Sequence, residues 1–266
     1  MSFTITGKTA IITGAANGIG LAVARHFADH GANVMFADMD EGRLADELGG
    51  HREDGNIRYF AGDLREKLTI QNLLSATIDA FESVDILINA CRQIMPSDPL
   101  DPDDDSVEVL LQQNMLTALR LSQCVAKRMI KQAEGREDGP VGSIVNLSSI
   151  SSCRTHPDLL AYSVSNAALE QMTRSLAVAL APERIRVNAV AFGSVMSASL
   201  QETLKENREF RLEIEKRTPL SRIASANELG DAVQYLASEA SSFMTGQVVT
   251  VDGGRTLVDP VDLPAH

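Results

Sequence analysis

One feature constrains this chain above the rest: short, nearly continuous apolar runs alternate with longer amphipathic stretches from one end to the other. The runs are Thr9–Thr13, Asn33–Ala37, Ile57–Ala61, Val84–Ile88, Ser143–Leu147, Arg186–Ala191 and Gln247–Val251. Strands that are apolar at successive positions suit burial on both faces, as in a parallel sheet. Between them, helical patterns occupy Gly18–His30, Gly42–Leu48, Leu68–Phe81, Ser106–Gln132, a stretch from the 160s to Ala181, and Ala226–Ala237. Repeated strand–helix–strand units predict an α/β protein: a doubly wound parallel sheet of about seven strands, with helices on both faces. The polar segment Ala133–Pro140 reads as an exposed loop. Residues 194–218 are polar and helical but little anchored by strands, which suggests a flap over a pocket, and 255–266 reads as a tail. Nothing resembles a linker, so one domain over 1–266 is expected.

Composition narrows the partners. There is no Trp and aromatics are 4% of residues, so the core must come from Ile, Leu, Val, Ala and Met. The 24 basic and 36 acidic side chains leave a formal charge of −12, a field that repels nucleic acid and anionic lipid surfaces. No window approaches the roughly 20 apolar residues needed to span a bilayer. The N-terminal residues show no basic stretch leading into an apolar run of the secretory kind. Three cysteines, Cys91, Cys124 and Cys153, lack metal-ligand spacing, and a reducing cytoplasm is the expected setting.

The first apolar run leads straight into Gly14-Ala15-Ala16-Asn17-Gly18-Ile19-Gly20, then the apolar start of a helix. Glycines permit a sharp turn and close approach of backbone to phosphate oxygens, while the helix start offers unpaired N–H groups and its positive dipole end. That is the arrangement of a dinucleotide site, with Gly14, Asn17, Gly18, Ile19 and Gly20 around a pyrophosphate. About twenty residues on, Asp38 ends the second run. A carboxylate there bonds the adenosine ribose hydroxyls and repels a 2′-phosphate, so the expected cofactor is NAD(H) and not NADP(H).

With further motifs, these residues resemble the short-chain dehydrogenase/reductase family from Thr6 to about Gly254, implying a Rossmann-type fold. Asp63-Leu64 resembles the family's adenine-contacting pair, and Asn89-Ala90 the start of its Asn-Ala-Gly signature. Asn114 sits where the family carries a helix-borne catalytic Asn. Ser149 and Tyr162 are thirteen residues apart, as its catalytic pair commonly is. The resemblance implies that Ser149 holds the substrate oxygen, Tyr162 exchanges the proton and Asn114 supports a water relay. It places Gly193 and Val195 against the nicotinamide half of the cofactor. It also implies a homo-oligomer, dimer or tetramer. The segment Arg217–Arg222 looks like the branch containing acyl-carrier-protein reductases and hydroxysteroid or sugar-alcohol dehydrogenases, which selects no substrate.

One member of the catalytic set is missing. The family carries a Lys four residues after the Tyr, holding the nicotinamide ribose and favouring the tyrosinate; here that residue is Asn166. An amide can still bond ribose hydroxyls. It supplies no charge, and a cation at about 4–6 Å is worth roughly 1–3 pKa units, so proton transfer is expected to weaken on the order of 10- to 1,000-fold. Cys91 replaces the signature's Gly, Phe192 a usual Pro, and Ser197 a Thr that often contacts the carboxamide. These departures are expected to cluster at the reactive end. Arg92, Arg154 and His156 are candidate replacement cations, with loop or surface placement the plainer reading. Two functions follow: an NAD(H)-dependent oxidoreductase interconverting a small-molecule secondary alcohol and ketone, or a catalytically silent NAD(H)-binding sensor or partner subunit. A methyltransferase is the least suited, since nothing here serves transfer from a sulfonium donor.

Overall fold

The computed structural model describes residues 3–48 and 55–259. Its main sheet is built from β1 (Thr9–Thr13), β2 (Asn33–Asp38), β3 (Ile57–Ala61), β4 (Ile86–Asn89), β5 (Gly142–Ser149) and β6 (Ile185–Phe192). Two-residue strands β7 (Val195–Met196) and β8 (Ala224–Ser225) pair with each other, and β9 (Val248–Val251) returns to the main sheet. All seven main strands are parallel, in the order β3-β2-β1-β4-β5-β6-β9. The chain moves outward through β2 and β3, then restarts on the other side of β1 at β4. Ligands of open α/β sheets bind outside the carboxyl ends of the strands at such a switch point.

The helices are α1 (Gly18–Asp29), α2 (Glu41–Leu48), α3 (Lys67–Phe81), α4 (Ser106–Leu111), α5 (Thr117–Gln132), α6 (Leu160–Leu180), α7 (Ala198–Glu206), α8 (Arg208–Lys216) and α9 (Ala226–Ala237). Alternate residues of one strand serve opposite layers, which explains the apolar runs. Ala10 and Ile12 pack with Val23 and Phe27 of α1 and Leu229 and Val233 of α9. Ile11, between them, packs with Leu73 of α3 and Leu121 and Val125 of α5. Each fully buried Val, Leu, Ile or Phe side chain among them contributes about 1.5–3 kcal/mol.

Three departures from the predicted elements bear on function. β5 runs two residues further than expected, to Ser149, and delivers that hydroxyl to the carboxyl edge of the sheet. The expected single helix Ser106–Gln132 is interrupted by a π-helical turn, Gln112–Leu116, with the Thr117 N–H bonded to the Gln112 carbonyl. The polar stretch 194–218 is helical as expected, yet it is tied at its start by the β7–β8 pairing. Of the tail, residues 260–266 lie outside the described residues. Among the described residues, no helix is long and apolar enough to cross a membrane, and no cluster of potential metal ligands occurs.

Candidate active site

The glycine turn fits a phosphate. A Cβ on Gly20 would stand 2.0 Å from the Gly14 carbonyl oxygen, so only hydrogen permits this tight return. Gly18 has φ +55°, and a Cβ there would meet nothing within 4 Å, leaving open space above the turn. Asn17 makes no side-chain cap, and the first turn of α1 carries no acidic residue. The first N–H groups and positive dipole end of α1 are therefore presented without an internal anion. Asp38 closes the turn from the next strand: its carboxylate accepts the N–H groups of Ala16 at 3.0 Å and Asp40 at 3.1 Å. Asp63 is engaged by Arg65 through bonds of 2.6 to 3.0 Å, which hold its carboxyl below the ordinary range. Leu64 is buried beside it.

The loop after β4 crosses from the adenosine end towards the catalytic groups. Thr13 Oγ1 accepts the N–H groups of both Ala90 and Cys91 at 3.0 Å, pinning this loop against the turn. Asn89 is buried and donates to Asn146 and Ser122. Cys91 departs from the expectation that the substitutions cluster at the reactive end. The charges acting on its thiol, Asp38, Asp63 and Arg65, belong to the adenosine end. Burial, with repulsion from Asp38, pushes the thiol up to about 11, although Gln113 bonds the sulfur at 3.0 Å. Near pH 8 only about one molecule in a thousand would carry the thiolate. Alkylation at pH 8 followed by peptide mass spectrometry should therefore label the exposed Cys153 well before Cys91; equal labelling would contradict this environment.

Arg92 gives the site its missing charge. Its guanidinium donates to Tyr162 Oη at 3.0 Å and lies over the Phe192 ring at 4.4 Å from the centroid. Phe192, where the family usually has Pro, thus acts as the shelf for a cation. Asn114, buried in the π-turn, fixes the loop: its Oδ1 accepts the Gln93 N–H at 2.8 Å, and its Nδ2 donates to the Gln93 carbonyl at 3.0 Å. The same amide reaches Ser165 on α6 at 3.1 Å, so one side chain ties the Arg92 loop to the helix that bears Tyr162. π-Turns of this kind recur at functional sites.

Ser149 and Tyr162 line one cavity of about 590 Å³ with Arg92, Phe192 and Gly193. Ser149 Oγ accepts the Ser151 N–H at 3.2 Å and lies 2.7 Å from Ser151 Oγ. With Ser151 as donor in that pair, the Ser149 hydrogen is left for a substrate oxygen. Asn166 is turned into the fold. Its Nδ2 donates to the Tyr162 carbonyl at 2.8 Å, its Oδ1 lies 3.5 Å from Ser148 Oγ, whose proton goes to Glu170 at 2.8 Å, and 2% of the residue is exposed. Val195 is buried in β7, and Ser197 Oγ caps α7 by accepting the Leu200 N–H. Of the candidate cations, Arg154 and His156 are exposed loop residues, as expected, that also line the cavity, whereas Arg92 is half-buried. Lys216, Arg217 and Arg255 line it as well, and none of them was expected among the cations of the site. Phe192 in place of Pro was the one local signal that a neighbouring cation needed a platform.

Sheet order, glycine turn and the Ser149–Tyr162 pair together define a nicotinamide-dependent oxidoreductase. The chain belongs to the short-chain dehydrogenase/reductase family: residues 14–256 match the family described as enoyl-(acyl carrier protein) reductase. It is 34% identical over 269 residues to the oxidoreductase UcpA of Salmonella typhimurium, covering 97% of this chain and 98% of that one. It is 31% identical over 255 residues to the 3-oxoacyl-[acyl-carrier-protein] reductase FabG of Thermotoga maritima, covering 95% and 99%. A short-chain type dehydrogenase/reductase from Mycobacterium marinum superposes with a TM-score of 0.82 at 30% identity, covering 97% of this chain and 100% of that chain. A 7α-hydroxysteroid dehydrogenase complexed with NADH and 7-oxo glycochenodeoxycholic acid gives 0.84 at 28% identity, with 95% of each chain covered.

Proposed function

We propose that this protein is an NAD(H)-dependent oxidoreductase interconverting a secondary alcohol and a ketone, with Arg92 supplying the cation that Asn166 does not. The observation that carries the reading is the 3.0 Å bond from the Arg92 guanidinium to Tyr162 Oη. Bound dihydronicotinamide would supply the hydride in the reducing direction. In that direction Tyr162 Oη gives its proton to the carbonyl oxygen, and the phenolate left behind is held by Arg92. Ser149 donates to the same substrate oxygen. Asn114 acts as a positioning residue, because its amide is spent on the loop that carries Arg92. Asn166 serves the reaction by fixing the first turn of α6 below Tyr162.

The NAD(H) preference is supported by Asp38. Its carboxylate is held against the turn by the Ala16 N–H and braced by that of Asp40, where a 2′-phosphate would face a like charge. In this reading Asp63, Leu64, Asn89 and Ala90 frame the adenosine half, and Gly193 and Val195 the nicotinamide half. Assembly into a homo-oligomer through α5 and α6 belongs to the same proposal; α6 leaves Val164 and Val178 exposed.

The test is turnover of a panel of secondary alcohols and ketones, paired with titration of NADH and NADPH. The protein should bind NADH at least tenfold tighter than NADPH, and Asp38→Ser should narrow that ratio. Tyr162→Phe should keep NADH binding within threefold while lowering kcat on the order of 10³-fold. NADH binding without turnover of any panel member would favour the silent sensor or partner subunit. No binding of either dinucleotide at millimolar concentration would sink both readings.

A further inference from the structure

The cavity in front of Ser149 and Tyr162 has a charge opposite to that of the protein around it. Its walls carry Arg92, Arg154, Lys216, Arg217 and Arg255 against one carboxylate, Asp259, among the described residues. The chain as a whole carries 36 acids against 24 bases. The cations arrive from separate segments: the loops after β4 and β5, the end of α8 and the turn after β9. Such convergence from distant parts of the sequence does not follow from a local run of basic residues.

Several of these cations are held by neutral groups rather than in ion pairs. Arg92 rests on the Tyr162 hydroxyl and the Phe192 ring, Arg154 donates to the Thr256 carbonyl, and Arg255 donates to Ser194 Oγ at 3.2 Å. Those partners are neutral, although the Asp252 carboxylate also acts on Arg255 and that of Glu213 on Lys216. Arg217 pairs with Glu213, whereas Lys216 forms no ion pair among the described residues. The cations are also separate from the phosphate turn, since no residue of Gly14–Gly20 lines the cavity. A concave wall of one sign focuses its field on the enclosed volume, and it raises the local concentration of the opposite charge even where the far field repels it. Guanidinium groups further match the planar oxygens of carboxylates and phosphates.

We infer that the substrate is an anion: a ketone or secondary alcohol that also carries a carboxylate or a phosphate ester. The inference rests on the oxidoreductase reading and names the substrate class of that same site. Ser149 and Tyr162 take the reacting oxygen, while the outer cations, Lys216 and Arg255 among them, take the charged end. A neutral ketone of equal length would bring no charge to those cations, and discrimination follows from that loss.

Matched pairs test it. With NADH, kcat/KM for 5-oxohexanoate should exceed that for methyl 5-oxohexanoate at least tenfold, or dihydroxyacetone phosphate should exceed dihydroxyacetone by as much. Which pair shows the larger ratio separates carboxylate from phosphate. The preference should shrink between 20 and 500 mM salt, because the outer cations are partly exposed, and at least fivefold in the Lys216→Gln/Arg255→Gln variant. Equal or better use of the neutral partners overturns the inference and leaves the oxidoreductase reading standing. If nothing is turned over, that reading fails, and calorimetry with the protein and hexanoate, hexyl phosphate or hexanamide decides. Tenfold tighter binding of either anion than of hexanamide supports the inference. Equal binding, or no anion binding at millimolar concentration, overturns it.

Discussion

Arg92→Met should lower kcat/KM on the order of 10²-fold for whichever ketone the protein reduces, while NADH affinity stays within about threefold. The guanidinium is 3.0 Å from an oxygen that becomes negative during proton transfer, and Tyr162 is 3% exposed. At an effective dielectric of about 20, a unit pair at this range is worth roughly 5.5 kcal/mol, of which solvent relaxation removes part; about 3 kcal/mol corresponds to two decades in rate. Oxidation and reduction must suffer together, because the overall equilibrium constant links them. Methionine keeps much of the arginine stem and can still lie on Phe192, so packing is largely preserved. A second-site variant separates charge from structure. Asn166→Lys in the Arg92→Met background should recover at least tenfold, since it restores a cation one helical turn along from Tyr162. Full activity in Arg92→Met alone would eliminate Arg92 from the chemistry.

Gly20→Ala should weaken NADH binding by 100-fold or more. A methyl group there would sit 2.0 Å from the Gly14 carbonyl oxygen and 2.9 Å from the Thr13 carbonyl oxygen, both backbone atoms that cannot swing aside. The turn must open, and the N–H groups at the start of α1 leave their places. Gly18→Ala is the milder comparison, since it perturbs the same turn without a backbone clash. Its Cβ meets nothing within 4 Å, and the cost is that of a left-handed backbone, about 1–2 kcal/mol. Fluorescence titration of NADH, with thermal melting to confirm folding, compares the two. Equal affinities in both variants would show that the turn does not grip the pyrophosphate.

The scaffold was legible because burial on both faces leaves a direct trace. β1 is apolar at Ala10, Ile11 and Ile12 since neighbouring residues serve opposite layers, and Gly14, Gly18 and Gly20 punctuate the turn that follows. The π-turn at Gln112–Leu116 was not legible. A single inserted residue barely disturbs a helical pattern, so Ser106–Gln132 read as one helix. Arg92 was hard to place for a topological reason. It lies 70 residues from Tyr162 in sequence, and only the pairing of β4 with β5 brings the loops that follow them together. Cys91 was read as a neighbour of the nicotinamide because it follows Asn89-Ala90, yet a loop can turn its side chain either way. The cationic cavity was legible only in Arg92 and Arg154: its members are scattered from 92 to 255, and composition records only their minority.

The route by which charge reaches Tyr162 has a mechanical consequence. A cation on the same helix as the phenol would form a rigid couple, with a spacing that the backbone dictates. Here the guanidinium hangs from a loop fastened by Asn114 and supported by an aromatic ring, so its distance from the hydroxyl is a separate degree of freedom. Whatever enters the cavity can lengthen or shorten that distance without bending α6. In the proposed mechanism proton exchange is thereby tied to how the visitor sits, and ligands of similar affinity should differ in rate according to how they move one side chain.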